Sequence, residues 1–95
     1  MDTITSKIAL KIIEEQELII GPLAWNEARK VPGLRVVDQK SKQIDFDNGN
    51  PAQVIDNLVN QYDRLFGRAS REVSRKAAMP FLKNLNPTEV PLSLK

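Results

Sequence analysis

The sequence predicts a mainly helical α+β domain: two N-terminal helices, a β-hairpin and two C-terminal helices around a single core. Three observations point to it. Apolar residues recur at helical spacing from Ile4 to Ile20 and again from Val54 to Phe66. Between those runs the apolar period falls from about 3.6 residues to about 2. Gly-Pro, Pro-Gly and Asn-Pro pairs punctuate the joints.

The first helix is expected near residues 3–20. Ile4, Ile8, Ile12 and Ile19, flanked by Ala9, Ile13 and Ile20, share one side, while Lys7, Lys11, Glu14, Glu15 and Glu17 fall mostly elsewhere. Leu10 and Leu18 widen the apolar surface. Isoleucine is a modest helix former, so packing must hold this element more than propensity does. A helix this apolar belongs between two layers or in a dimer interface. Gly21 can close it, and Pro22 can open a second helix near 22–30, which Pro32-Gly33 ends. Trp25, the only tryptophan, reads as a core anchor, or as an interface hot spot where it protrudes.

A hairpin is expected at 34–47. Leu34, Val36, Ile44 and Phe46 can line one face, with Arg35, Asp45 and Asp47 on the other and Asp38 to Lys42 as the polar turn. An isolated hairpin is marginal in water, so it must lie on the helices. Asn50 then caps a third helix at 51–66, with Pro51 in its first position and Val54, Ile55, Leu58, Val59, Tyr62, Leu65 and Phe66 as its apolar stripe. Gly67 sits where a left-handed C-terminal residue is expected, before a fourth helix near 69–79. Ile8, Ile12, Val36, Phe46, Val54, Leu58 and Phe66 are the expected core members.

The globular domain is expected to cover residues 1–83. Asn84 to Lys95 contains Pro87 and Pro91 and cannot be a helix, so it is expected as an extended or disordered tail; Val90, Leu92 and Leu94 alternate as an edge strand would.

Composition removes most enzyme chemistry. The 95 residues include no cysteine and no histidine, which takes away thiolate nucleophiles together with the commonest general base and metal ligand. Glu14, Glu15 and Glu17 are read as solvated, and solvated carboxylates make poor acid/base pairs. Asp45-Phe46-Asp47-Asn48-Gly49-Asn50 resembles a calcium loop, but its glycine falls fifth instead of sixth and the twelfth position is Asp56 instead of glutamate. A strand end, a turn and an N-cap explain every residue there. No enzyme, cofactor or metal is expected. No apolar run approaches the roughly 20 residues of a membrane span, and no basic stretch precedes an apolar block, so a cytoplasmic protein without membrane contact is expected.

Charge is the remaining signal. The net +2 conceals seven basic against ten acidic residues over 1–63, and seven against two over 64–95. Arg68, Arg71 and Arg75 fall within about 60° of one another on a helix at roughly 100° per residue. Lys76 and Lys83 extend that surface, and Ala69, Val73 and Ala77 form a strip of small residues opposite. A solvated face would look similar, but arginine in all three stripe positions offers planar forks for carboxylates or phosphates. The expected function is a small protein-interaction or regulatory module, a homodimer in the first instance, meeting a partner with an acidic surface. The partner-binding residues would be Arg68, Arg71, Arg75, Lys76 and Trp25, with the Glu14–Glu17 region of a second copy as one acidic surface. The alternative is a nucleic-acid-binding protein that lays Arg68, Arg71 and Arg75 against phosphates. The acidic first two-thirds and the sparse aromatics count against it.

Overall fold

The computed structural model describes residues 3–46, 50–83 and Leu94. In chain order it holds α1 (Thr3–Ile20), α2 (Leu23–Ala28), β1 (Leu34–Asp38), β2 (Gln43–Phe46), α3 (Pro51–Phe66) and α4 (Arg68–Leu82). This is the mainly helical α+β architecture read from the sequence, with the hairpin between two helix pairs.

The central element is α1, which packs against α2, α3, α4 and β2. Its apolar excess follows from that position: Ile8, Ala9, Ile12 and Ile13 are all fully buried. Each large aliphatic side chain so removed from water contributes on the order of 1.5–3 kcal/mol. Of its large apolar side chains, Leu18 and Ile19 near the C-terminal end are 79% and 63% exposed.

Local signals set the start of α3. The Asn50 side chain accepts a hydrogen bond from the Ala52 amide at 2.9 Å, and Pro51 occupies a position whose N–H has no helical partner. Val54, Ile55, Leu58, Val59 and Tyr62 are buried. The Tyr62 hydroxyl donates to the Ala24 carbonyl at 2.7 Å, which satisfies the phenol inside the core. Gly67 then separates α3 from α4 by a single residue. Its φ of +87° and ψ of −169° differ from the left-handed helical cap expected. That backbone state is essentially reserved for glycine, and it turns the chain sharply enough for α4 to run back along α1.

In the hairpin, Leu34 pairs with Phe46, Arg35 with Asp45 and Val36 with Ile44, which is the expected sorting of faces. The pairing slips between Val36 and Asp38, leaving Val37 54% exposed. Asp47 and the Asn48-Gly49 turn lie outside the described residues. Leu34 is buried, but Val36 and Phe46 are only half-buried, against the expectation. Among the described residues the two strands have no third neighbour, and β2 packs on α1. Phe66 is also half-buried, because it ends α3 at an open corner.

The small strip on α4 is also corrected. Ser70, Ser74, Ala77 and Ala78 face inward, while Ala69 is exposed and Val73 half-buried. Gln16 of α1, 1% exposed, explains the rotation. Its amide nitrogen donates to the Ser70 carbonyl at 2.9 Å and the Ser74 hydroxyl at 3.1 Å, and its oxygen accepts from the Ser70 hydroxyl at 2.9 Å. α4 also runs past the expected end to Leu82, with Pro80 in its last turn, so that Phe81 and Leu82 reach the core. Of the expected tail, Leu94 alone is described; it is buried among the core residues.

Candidate functional site

Where the end of α1 meets the α3–α4 corner, side chains fail to close over one another. The result is a cleft of about 100 Å³ walled by Ile19, Ile20, Phe66, Ala69 and Val73, with Gln16 and Ser70 at its base. Gly67 makes it possible by bringing the last residue of α3 and the first turn of α4 against α1. The Gln16–Ser70 hydrogen bonds hold the base, and Ala69 is too small to fill the gap. Ile19, 63% exposed, is the most open of these walls.

The charges around the cleft are unequal in their freedom. Ala69, Val73 and Lys76 lie within about 60° of one another on α4, and Arg68 immediately precedes Ala69. Among the described residues, neither Arg68 nor Lys76 has an ion-pair partner, and both are exposed. Arg71 instead bridges to Asp63 at 3.2 Å and donates to Asn60 at 3.1 Å, and Arg75 pairs with Glu72 at 3.2 Å. The expected arginine stripe therefore divides. Arg71 is occupied by α3 and Arg75 by its own helix, whereas Arg68 and Lys76 keep an open side.

Trp25 does not belong to the site. It is 1% exposed, inside the core formed by α1, α2 and α3, and presents no surface to a partner. The acidic cluster on α1 is also less solvated than expected. Glu14 pairs with Lys42 at 2.7 Å and Glu15 with Lys11 at 3.2 Å.

Among the described residues Glu27, Asp56 and Tyr62 are buried, and two of them, Glu27 and Tyr62, have shifted acidities. Glu27, 6% exposed, accepts from Gln61 at 2.8 Å and Lys30 at 3.1 Å, and these hydrogen bonds hold its carboxyl below the usual carboxylate range. Burial pushes the Tyr62 phenol far above its ordinary range, with the nearby negative charges of Glu27 and Glu17 adding to the shift. Neither lines the cleft. Among the described residues, no three acidic side chains gather closely enough to hold a metal ion, and no helix is long and apolar enough to cross a membrane.

The sequence reading missed the cleft because its walls come from three helices. The one available signal was the pairing of Ile19 with a preceding Leu18 at the end of an already saturated apolar stripe. No protein-family model, curated protein or solved structure matches the chain.

Proposed function

We propose that this protein is a non-enzymatic interaction or regulatory module of the cytoplasm. It docks a protein partner on the apolar surface at the α1–α3–α4 corner and orients it through the basic side of α4. The observation that supports this reading is the clustering of exposed apolar residues around a formed cleft. Single exposed leucines are ordinary, but the exposed Ile19 joins the half-buried Ile20, Phe66 and Val73 around one recess. Arg68 and Lys76 favour an acidic partner surface and exclude a basic one. The nucleic-acid alternative is weakened by Arg71 and Arg75, whose guanidinium groups already meet carboxylates.

The test is quantitative affinity capture, after nuclease treatment, with the wild-type protein and with Ile19→Asp and Ala69→Asp. Both positions are exposed, and an acidic residue in the first turn of α4 suits the helix dipole, so both variants should fold. Loss of the same captured proteins in both variants, and not in Lys40→Glu on the hairpin turn, is the expected result. An identical captured set for all four proteins would overturn the reading.

A further inference from the structure

We infer that the groove between α1 and the hairpin is a second binding site, for a small apolar carboxylate of the medium-chain fatty-acid kind. The groove shares no lining residue with the α1–α3–α4 cleft. Leu10 of α1, Val37 of β1 and Ile44 of β2 form its apolar surface. At about 400 Å³ it falls within the roughly 300–1,000 Å³ of small-molecule sites. The register shift after Val36 goes with a Val37 that is 54% exposed, and Leu10 and Ile44 are only half-buried. A hydrocarbon chain lying there would remove that apolar surface from water.

The boundary of the groove sets the length of the ligand. Glu14, one turn beyond Leu10, bridges to Lys42 of the hairpin turn at 2.7 Å and bounds the groove at that end. From Glu14 back to Lys7 the helix rises about 10 Å, which suits a short linear chain.

Charge selects an anion. Lys7, Lys42 and Asp45 border the groove. Glu14 neutralises Lys42, and Arg35 neutralises Asp45 at 3.0 Å. Lys7 is exposed and has no ion-pair partner among the described residues, so one positive charge is left over. A single unbalanced cation suits a monoanion, not an acidic peptide or a nucleic acid. Ser6, beside Lys7, points the same way. Its hydroxyl is buried with no hydrogen-bond partner among the described residues. Buried polar groups are normally paired, and rotation about one torsion lets this hydroxyl donate to a carboxylate held at Lys7.

Titrating octanoate into the intact ¹⁵N-labelled chain at neutral pH tests this through its amide spectra. Saturable shifts are expected on Ser6, Lys7, Leu10, Val37 and Ile44, with a dissociation constant of about 1 mM. Octylamine, with the same chain and the opposite charge, should bind about fivefold more weakly. Lys7→Glu should reverse that preference, and Val37→Asp should weaken octanoate binding by about fivefold or more. Both positions are exposed, so both variants should fold, which an unchanged denaturant midpoint verifies. Groove amides unmoved by octanoate, or moved equally by octanoate and octylamine, overturn the inference. Groove amides that respond to protein concentration alone would assign the surface to a second copy. A response only to phosphatidylglycerol vesicles would assign it to a membrane, and either result overturns the inference too.

Discussion

Gln16 and Ser70 are 54 residues apart in sequence, yet they exchange two hydrogen bonds at 2.9 Å across the α1–α4 contact. Together with Ser74 they form a polar contact sealed inside the most extensive helix–helix packing of the molecule. Both helices can approach closely because the α4 side chains at the contact are serine and alanine. The same contact holds the base of the cleft, so fold and candidate site depend on it together.

Gln16→Ala should strand the Ser70 and Ser74 hydroxyls and lower stability by about 1–3 kcal/mol, the usual cost of leaving buried polar groups unsatisfied. Replacing all three polar residues, as Gln16→Leu with Ser70→Ala and Ser74→Ala, should recover most of that loss, because no polar group is then left without a partner. Urea midpoints of the two variants provide the check.

Gly67→Ala should cost about 1–3 kcal/mol, since its backbone conformation is one that L residues rarely adopt. An added Cβ would meet no atom within 4 Å, so the loss would be conformational and not steric. Chemical denaturation measures it. A midpoint equal to wild type would show that the corner can be made without glycine.

Acid should destabilise the fold through Glu27. Its hydrogen bonds from Gln61 and Lys30 depress the folded-state value below the ordinary 4.5, so on acidification the unfolded chain takes up the proton first. The stabilisation is therefore complete above 4.5 and is lost as pH falls further, through the folded value. Glu27→Gln should flatten the thermal midpoint against pH in that window and leave its shape near neutrality unchanged.

Arg68→Ala, Arg71→Ala and Arg75→Ala together should leave weak, salt-labile retention on heparin only slightly altered. Two of the three guanidinium groups already serve internal carboxylates. Loss of the Arg71–Asp63 pair, with both side chains about one-third exposed, should lower stability by roughly 0.2–1 kcal/mol. Submicromolar wild-type affinity for unrelated DNA or RNA at physiological salt, abolished in the triple variant, would favour the phosphate-binding alternative instead.

What could be read in the sequence was what is local. The Asn50 cap, Pro51 and the Val54–Tyr62 stripe fix α3 within a few turns, and Arg35 opposite Asp45 follows from the alternation of two short strands. What could not be read depends on distant partners. Serine reads as surface until Gln16 is known to face it, so the inward side of α4 was misplaced. Arg71 reads as free until the Gly67 turn brings Asp63 beside it. Trp25 could be assigned to core or surface only once α2 was placed over α1 and α3. The cleft belongs to the same class, being the gap left by three helix ends.

Homodimerisation through this corner, expected from the sequence, is tested most directly by recording amide ¹⁵N–¹H spectra of the unmodified chain at about 20 µM and about 1 mM, concentrations that bracket an ordinary weak association. The expected result is concentration-dependent shifts grouped on Ile19, Phe66, Ala69, Val73 and Lys76, with the hairpin amides from Leu34 to Phe46 unmoved. Shifts centred on the hairpin, or spectra identical at both concentrations, would contradict self-docking at this corner.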